Sequence, residues 1–145
     1  MSAIPLTHLG RMALGLLLAS PGHTAGEKLN EELLLRAIAQ VESGTTNLSR
    51  PFKKVGSAGE RGAWQMKQMV WRQYTRAPFA QASTDAVLAN LIAALHLKEL
   101  CRKMEADKVK PTAYFVALQW NSSDAQYDYA TRVNNVYHAL AEAIP

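Results

Sequence analysis

From Leu29 to the C-terminus, apolar positions recur at three- and four-residue spacing and nowhere alternate over the length of a strand. The chain therefore predicts a mainly α fold without internal repeats. A first helix is expected from Glu31. Asn30 can cap it, Glu31 and Glu32 sit where the positive end of the dipole favours acids, and Leu33, Leu34, Ala37, Ile38 and Val41 form one apolar face. Gly44 supplies the left-handed residue that ends such helices, which puts Glu42 in the last turn. The polar run Thr45 to Gly59 follows, with Pro51, Gly56 and Gly59. A connection of that length inside a compact domain is usually functional or hides a small β element, so short extended or hairpin pieces are expected there.

Beyond it, a helix over Lys67 to about Tyr74 would turn Met66, Met69, Val70 and Tyr74 to the core, with Trp71 buried and Pro78 closing the region. Ser83 or Thr84 would cap the longest helix, Asp85 to Ala106. Its stripe of Leu88, Leu91, Ile92, Leu95 and Met104 predicts the central buried helix, and Lys98 to Lys108 its solvated end. His96 lies in that run and reads as a satisfied core or boundary histidine. Pro111 can open a further helix to Trp120. Asn121-Ser122-Ser123 breaks it, and Ser123 or Asp124 caps a last helix whose inward stripe is Tyr129 or Ala130, Val133, Val136, Tyr137 and Leu140. Tyr127 and Tyr137 read as packing residues. Of Trp64 and Trp71, one is a candidate for stacking on a sugar ring, with Trp71 the better candidate for the core.

Residues 1–26 differ from the rest. One basic residue and no acid precede Met12-Ala-Leu-Gly-Leu-Leu-Leu-Ala19, and Ser20-Pro21-Gly22 breaks the run, in the order of a secretory signal. The run is too short to span a bilayer as a helix. The expectation is a periplasmic or secreted protein, the alternative a short N-terminal helix packed on the domain. The remaining residues, 27–145, suffice for one domain that buries a core without disulfides. Cys101, the single cysteine, reads as a small buried hydrophobe, and the scattered histidines give no metal-ligand spacing, so neither metal nor cofactor is expected.

Sixteen Lys and Arg against twelve Asp and Glu give a formal charge of +4, which becomes +3 when residues 1–26, carrying only Arg11, are removed. This suits an anionic polymer such as nucleic acid or bacterial wall glycan. Nucleic acid is disfavoured because the basic residues form no long stripe, the densest group being Arg50, Lys53 and Lys54 in the loop.

Glu42 is the candidate for chemistry. A carboxyl at the negative end of a helix, beside apolar groups, is pushed toward its protonated form, which a general acid requires when it protonates a glycosidic oxygen. An exposed Glu tolerated at a helix end is the competing reading. Gly59 and Gly62 flank Glu60 and Arg61, where a backbone can approach closely, and Gln65 can both donate to and accept from a sugar hydroxyl or N-acetyl group.

Val41-Glu42-Ser43-Gly44 with Asn47, Gly62-Ala63-Trp64-Gln65, Ala117-Leu118-Gln119-Trp120-Asn121 and Tyr129-Ala130-Thr131-Arg132-Val133 together resemble, in order and spacing, the motifs of soluble lytic transglycosylases and goose-type lysozymes. The likeness spans Ile38 to about Val133 and implies a lysozyme-like single domain acting on peptidoglycan glycan strands; a monomer is expected, working alone or with a secretion or envelope-spanning machine. It implies Glu42 as acid then base, Ser43 as an orienting hydroxyl, Gln65 in the cleft wall, Asn121 on substrate and Tyr129 beside the catalytic carboxyl. The expected reaction is cleavage of the β-1,4 link between N-acetylmuramic acid and N-acetylglucosamine with 1,6-anhydro ends. Trp120, Ser122-Ser123 and Ala63-Trp64 depart from the pattern and bear on subsites. Glu60 stands where a small residue is usual. It is either a second carboxylate for hydrolysis, which needs a partner about 6.5 to 9.5 Å away, or a group paired with Arg61, Lys53 or Lys54 at the cleft edge, a salt-bridged or structural role being the favoured reading.

Overall fold

The computed structural model describes residues 28–121 and 123–145; the expected secretory segment, residues 1–26, lies outside them. The described chain is mainly helical, with α1 (Glu31–Ser43), α2 (Gln68–Tyr74), α3 (Gln81–Thr84), α4 (Ala86–Ala106), α5 (Ala113–Trp120) and α6 (Gln126–Glu142). α1 begins and ends as its sequence dictates. The Asn30 side chain accepts from Leu33 N at 3.1 Å, and Gly44, at φ 76°, donates its N–H to Gln40 O at 2.9 Å.

The deepest helix is α1 rather than α4. Leu34, Ala37, Ile38 and Ala39 are fully enclosed, with α6 packed along one side and α4 against another, and α5 lies on α6. Trp64 fixes the outer side of α1 by donating Nε1–H to Leu35 O at 3.0 Å. α4 turns only one column inward, through Ala89, Ile92, Ala93, Leu97, Cys101 and Met104. Leu91 and Leu95, expected in the core, face outward. Bulk misled the phase: the two alanines let α4 approach its neighbours closely, so the small residues rather than the leucines mark the contact face. The solvated end of α4 is as expected, with Arg102 paired to Glu99 at 2.8 Å.

Other local expectations need correction. Met69 is exposed while Trp71 is enclosed, its Nε1–H donating to Ala77 O at 2.9 Å. The cap of α4 is Asp85, which accepts from Leu88 N, and Ser83 and Thr84 belong to the single turn α3. α5 opens at Ala113 with Thr112 as its cap rather than at Pro111, and α6 begins at Gln126 with Ala125 in the cap position and no side-chain cap, so neither Ser123 nor Asp124 caps it. Tyr127 is exposed. Tyr137 does pack on the core, and its hydroxyl accepts from Asn30 N at 3.0 Å, tying α6 to the start of α1. Cys101 is buried, and burial holds its thiol up at about 11, so it remains a protonated small hydrophobe.

Candidate active site

The segment after α1 is held at three points. Asn90 of α4 donates to Leu48 O at 2.8 Å, Lys54 Nζ donates to the backbone carbonyl of Glu42 at 2.8 Å, and Gly62 N donates to Lys54 O at 3.0 Å. The expected extended pieces fall at its end and just past it: Arg61 bridges antiparallel to Val55 and to Met66. Gly62 sits at φ 78° with its α-carbon against the Ala82 carbonyl, leaving no room for a β-carbon. Close approach was expected of this glycine, and its partner is α3.

The end of this segment, the end of α5 and the middle of α4 line an open cleft of about 420 Å³. Glu42, Glu60, Gln65 and Asn121 all line it. Glu42 is half-buried at the last turn of α1, and its carboxyl is held above the ordinary carboxylate range. Burial is the largest cause and the charge of Glu60 adds to it, while Tyr129, Lys54 and Arg132 pull the other way. The Lys54 ammonium sits on the Glu42 carbonyl, where its charge opposes the negative end of the helix.

Glu60 forms no ion pair with Arg61, Lys53 or Lys54; the ion pairs among the described residues both involve Glu99. The salt-bridged form of the favoured reading is thereby corrected, while a structural role is not. Its basic neighbours are engaged elsewhere: Arg61 stacks over Phe79 at 5.6 Å and Lys54 holds the Glu42 carbonyl. Glu60 instead accepts from Ala58 N at 3.1 Å. A β-carbon on Gly56 would meet Glu60 Oε2 at 2.5 Å and Gln65 Oε1 at 2.7 Å, so both side chains lie against this bare stretch of backbone.

Gln65 adopts φ 44°, a left-handed conformation uncommon for a residue with a side chain. Its Nε2 donates to Gly62 O at 2.8 Å, which leaves Oε1 as the acceptor. Asn121 ends α5, and its Oδ1 accepts from Ser123 N at 3.1 Å, leaving its amide N–H groups without a protein partner among the described residues. Tyr129 is 3% exposed and its hydroxyl has no hydrogen-bond partner among the described residues. It lies close enough to Glu42 for the two groups to perturb one another, burial and the Glu42 charge raising the phenol, without closing into hydrogen-bond geometry. Ser43 is not brought to the cleft; its hydroxyl donates back to Ala39 O at 2.8 Å. Among the described residues no group of three or more His, Cys, Asp or Glu is placed to hold a metal ion.

Sequence reasoning named Trp120 as bearing on subsites but missed His96 beside it. His96 and Trp120 line the same cleft, rings 5.0 Å apart and edge-to-face, and the Tyr74 hydroxyl bonds His96 Nδ1 at 3.1 Å. The reading of His96 as satisfied holds, but it also faces the cleft. Trp64 and Trp71, the tryptophans considered for stacking, are both enclosed.

Burial, then Lys103, lower the His96 pKa to about 4, against a partial offset from Glu99. The unfolded chain binds a proton near pH 6.5 that the folded chain refuses, so this contribution to stability is complete above about pH 6.5 and is lost as pH falls toward 4. Allowing for screening by the open cleft, the loss is on the order of 1–2 kcal/mol. Urea unfolding at pH 7 and pH 4 should show that extra loss for the wild type but not for His96→Gln.

No family model, curated protein or solved structure matches this chain.

Proposed function

We propose that the protein is a peptidoglycan lytic transglycosylase that cleaves the β-1,4 bond between N-acetylmuramic acid and N-acetylglucosamine, acting in the periplasm or outside the cell. The observation that carries this reading is one carboxyl with a raised pKa, Glu42, in a cleft with Gln65 and Asn121 and with the unpartnered Tyr129 hydroxyl behind it. Glu42 gives its proton to the glycosidic oxygen as the C1–O bond breaks. The resulting carboxylate removes the proton of the same sugar's 6-hydroxyl, whose oxygen bonds to C1 and closes the 1,6-anhydro ring. Glu42 ends protonated and no water is consumed. Burial favours the neutral acid for the first half, and Lys54, Arg132 and Tyr129 stabilise the charged base for the second.

A second reading rests on Glu60, whose carboxylate shares the cleft and whose charge is felt at Glu42. It would activate a water for hydrolysis. Product analysis of digested peptidoglycan separates the two. The expected result is 1,6-anhydromuramic ends, with turnover retained in Glu60→Gln. Reducing muramic acid ends, lost in Glu60→Gln, would make the protein a hydrolase. A wall suspension left uncleared would place it instead among non-enzymatic wall-binding or assembly proteins that keep the fold.

A further inference from the structure

The three tryptophans have different fates. Trp64 and Trp71 spend their indole N–H groups on backbone carbonyls inside the core. Trp120 is half-buried, lines the cleft, and has no hydrogen-bond partner for its N–H among the described residues. An aromatic face with an unspent donor at its edge suits a ligand that is flat and apolar on one side and polar at its rim. Beside it, His96 uses only Nδ1, on the Tyr74 hydroxyl. The low pKa keeps the ring neutral, so one nitrogen carries hydrogen and the other does not. If the hydroxyl donates to Nδ1, Nε2 is a donor; if the hydroxyl rotates and accepts, Nε2 is an acceptor. Tyr74 thus lets the free nitrogen serve either sense of hydrogen bond at no cost in charge.

We infer that His96 and Trp120, with Tyr74 behind them, form a subsite that selects an N-acetylated hexosamine unit by its acetamido group. The sugar face lies on the indole, and the amide, which offers both N–H and C=O, meets the neutral imidazole and the indole N–H. A hydroxyl in place of the acetamido leaves part of this set unpaired inside a half-buried wall, and an unpaired polar group in such a site discriminates strongly. The subsite deepens the proposed function, resting on it for the identity of the polymer but not for the chemistry of cleavage.

The test measures binding by titration calorimetry on the Glu42→Gln protein, so that turnover plays no part. The probes are tetra-N-acetylchitotetraose and cellotetraose, which share the β-1,4 backbone and differ in the acetamido groups. The N-acetylated oligomer should bind at least about tenfold tighter. Adding His96→Phe should bring the two within about twofold, and adding Tyr74→Phe should reduce the preference by several fold. Trp120→Ala should weaken both oligomers together. Equal affinities in the parent, no binding of either oligomer, or a preference untouched by both His96→Phe and Tyr74→Phe would overturn the assignment. Tyr74→Phe removes one oxygen, so it keeps the test sharp if His96→Phe disturbs packing. A positive result from protein that leaves peptidoglycan uncut would retain the subsite and discard the transglycosylase.

Discussion

Replacing Glu42 by Gln should lower peptidoglycan turnover by on the order of 10²- to 10⁴-fold, the range expected when a positioned general acid is removed. The amide keeps the shape and half-buried position of the side chain but can neither release a proton to the glycosidic oxygen nor recover one. The fold should not suffer. Because the folded carboxyl has a raised pKa, its ionisation costs stability as pH rises above the carboxyl's unfolded value, and Gln removes that cost. Unfolding midpoints at pH 7 should therefore be equal to or slightly above wild type. In the wild-type pH profile, turnover should fall on the alkaline side as Glu42 loses its proton, a limb that Glu42→Gln should not show in any residual activity. Wild-type rates in the variant would place the acid elsewhere in the cleft.

The second large effect is expected at Gly62. A β-carbon there would strike the backbone carbonyl of Ala82 in α3, and φ 78° is itself unfavourable for an L residue. Neither problem relaxes by turning a side chain, so Gly62→Ala should cost about 2–4 kcal/mol, a large part of the stability of a single domain. Gly59 provides the control: its φ is 83°, yet nothing lies within 4 Å of its β-carbon position. Gly59→Ala should lose only the conformational part, about 1–2 kcal/mol. Equal losses in urea unfolding would mean that the contact with α3 contributes nothing. Turnover should fall with Gly62→Ala as well, since the Gly62 carbonyl accepts from Gln65 Nε2 and its N–H holds Lys54 O.

The helices near the site were legible where local chemistry decides them. Asn30 and Gly44 bound α1 in sequence as in structure, and Glu42 follows from that boundary. Asn121 was placed at the end of α5 by the polar break after it. Legibility ended where a residue's role depends on what packs against it. The raised pKa at Glu42 was expected from the helix end and from burial together; burial is its largest cause, and a lysine twelve residues downstream, invisible to local reading, works against the dipole. The place of His96 in the cleft wall beside Trp120 was missed because it requires the rotational phase of α4, and the exposed Leu91 and Leu95 gave the wrong phase. Two signals pointed to it: the aromatic residue directly before Asn121, and a histidine on the same helix as the column of alanines.

The buried hydroxyl of Tyr129 has a consequence for the history of this sequence. A buried donor that closes no hydrogen bond among the described residues costs roughly 1–3 kcal/mol, and phenylalanine would fill the same space without that cost but also without the pull on Glu42. Selection for folding alone would favour that exchange. A tyrosine at this point, facing a carboxyl that alternates between neutral and charged in the proposed reaction, marks where the most stable sequence and the most useful one diverge. Variants chosen only for heat resistance would be drawn toward phenylalanine at this position, becoming sturdier while losing the group that steadies Glu42 in its charged form.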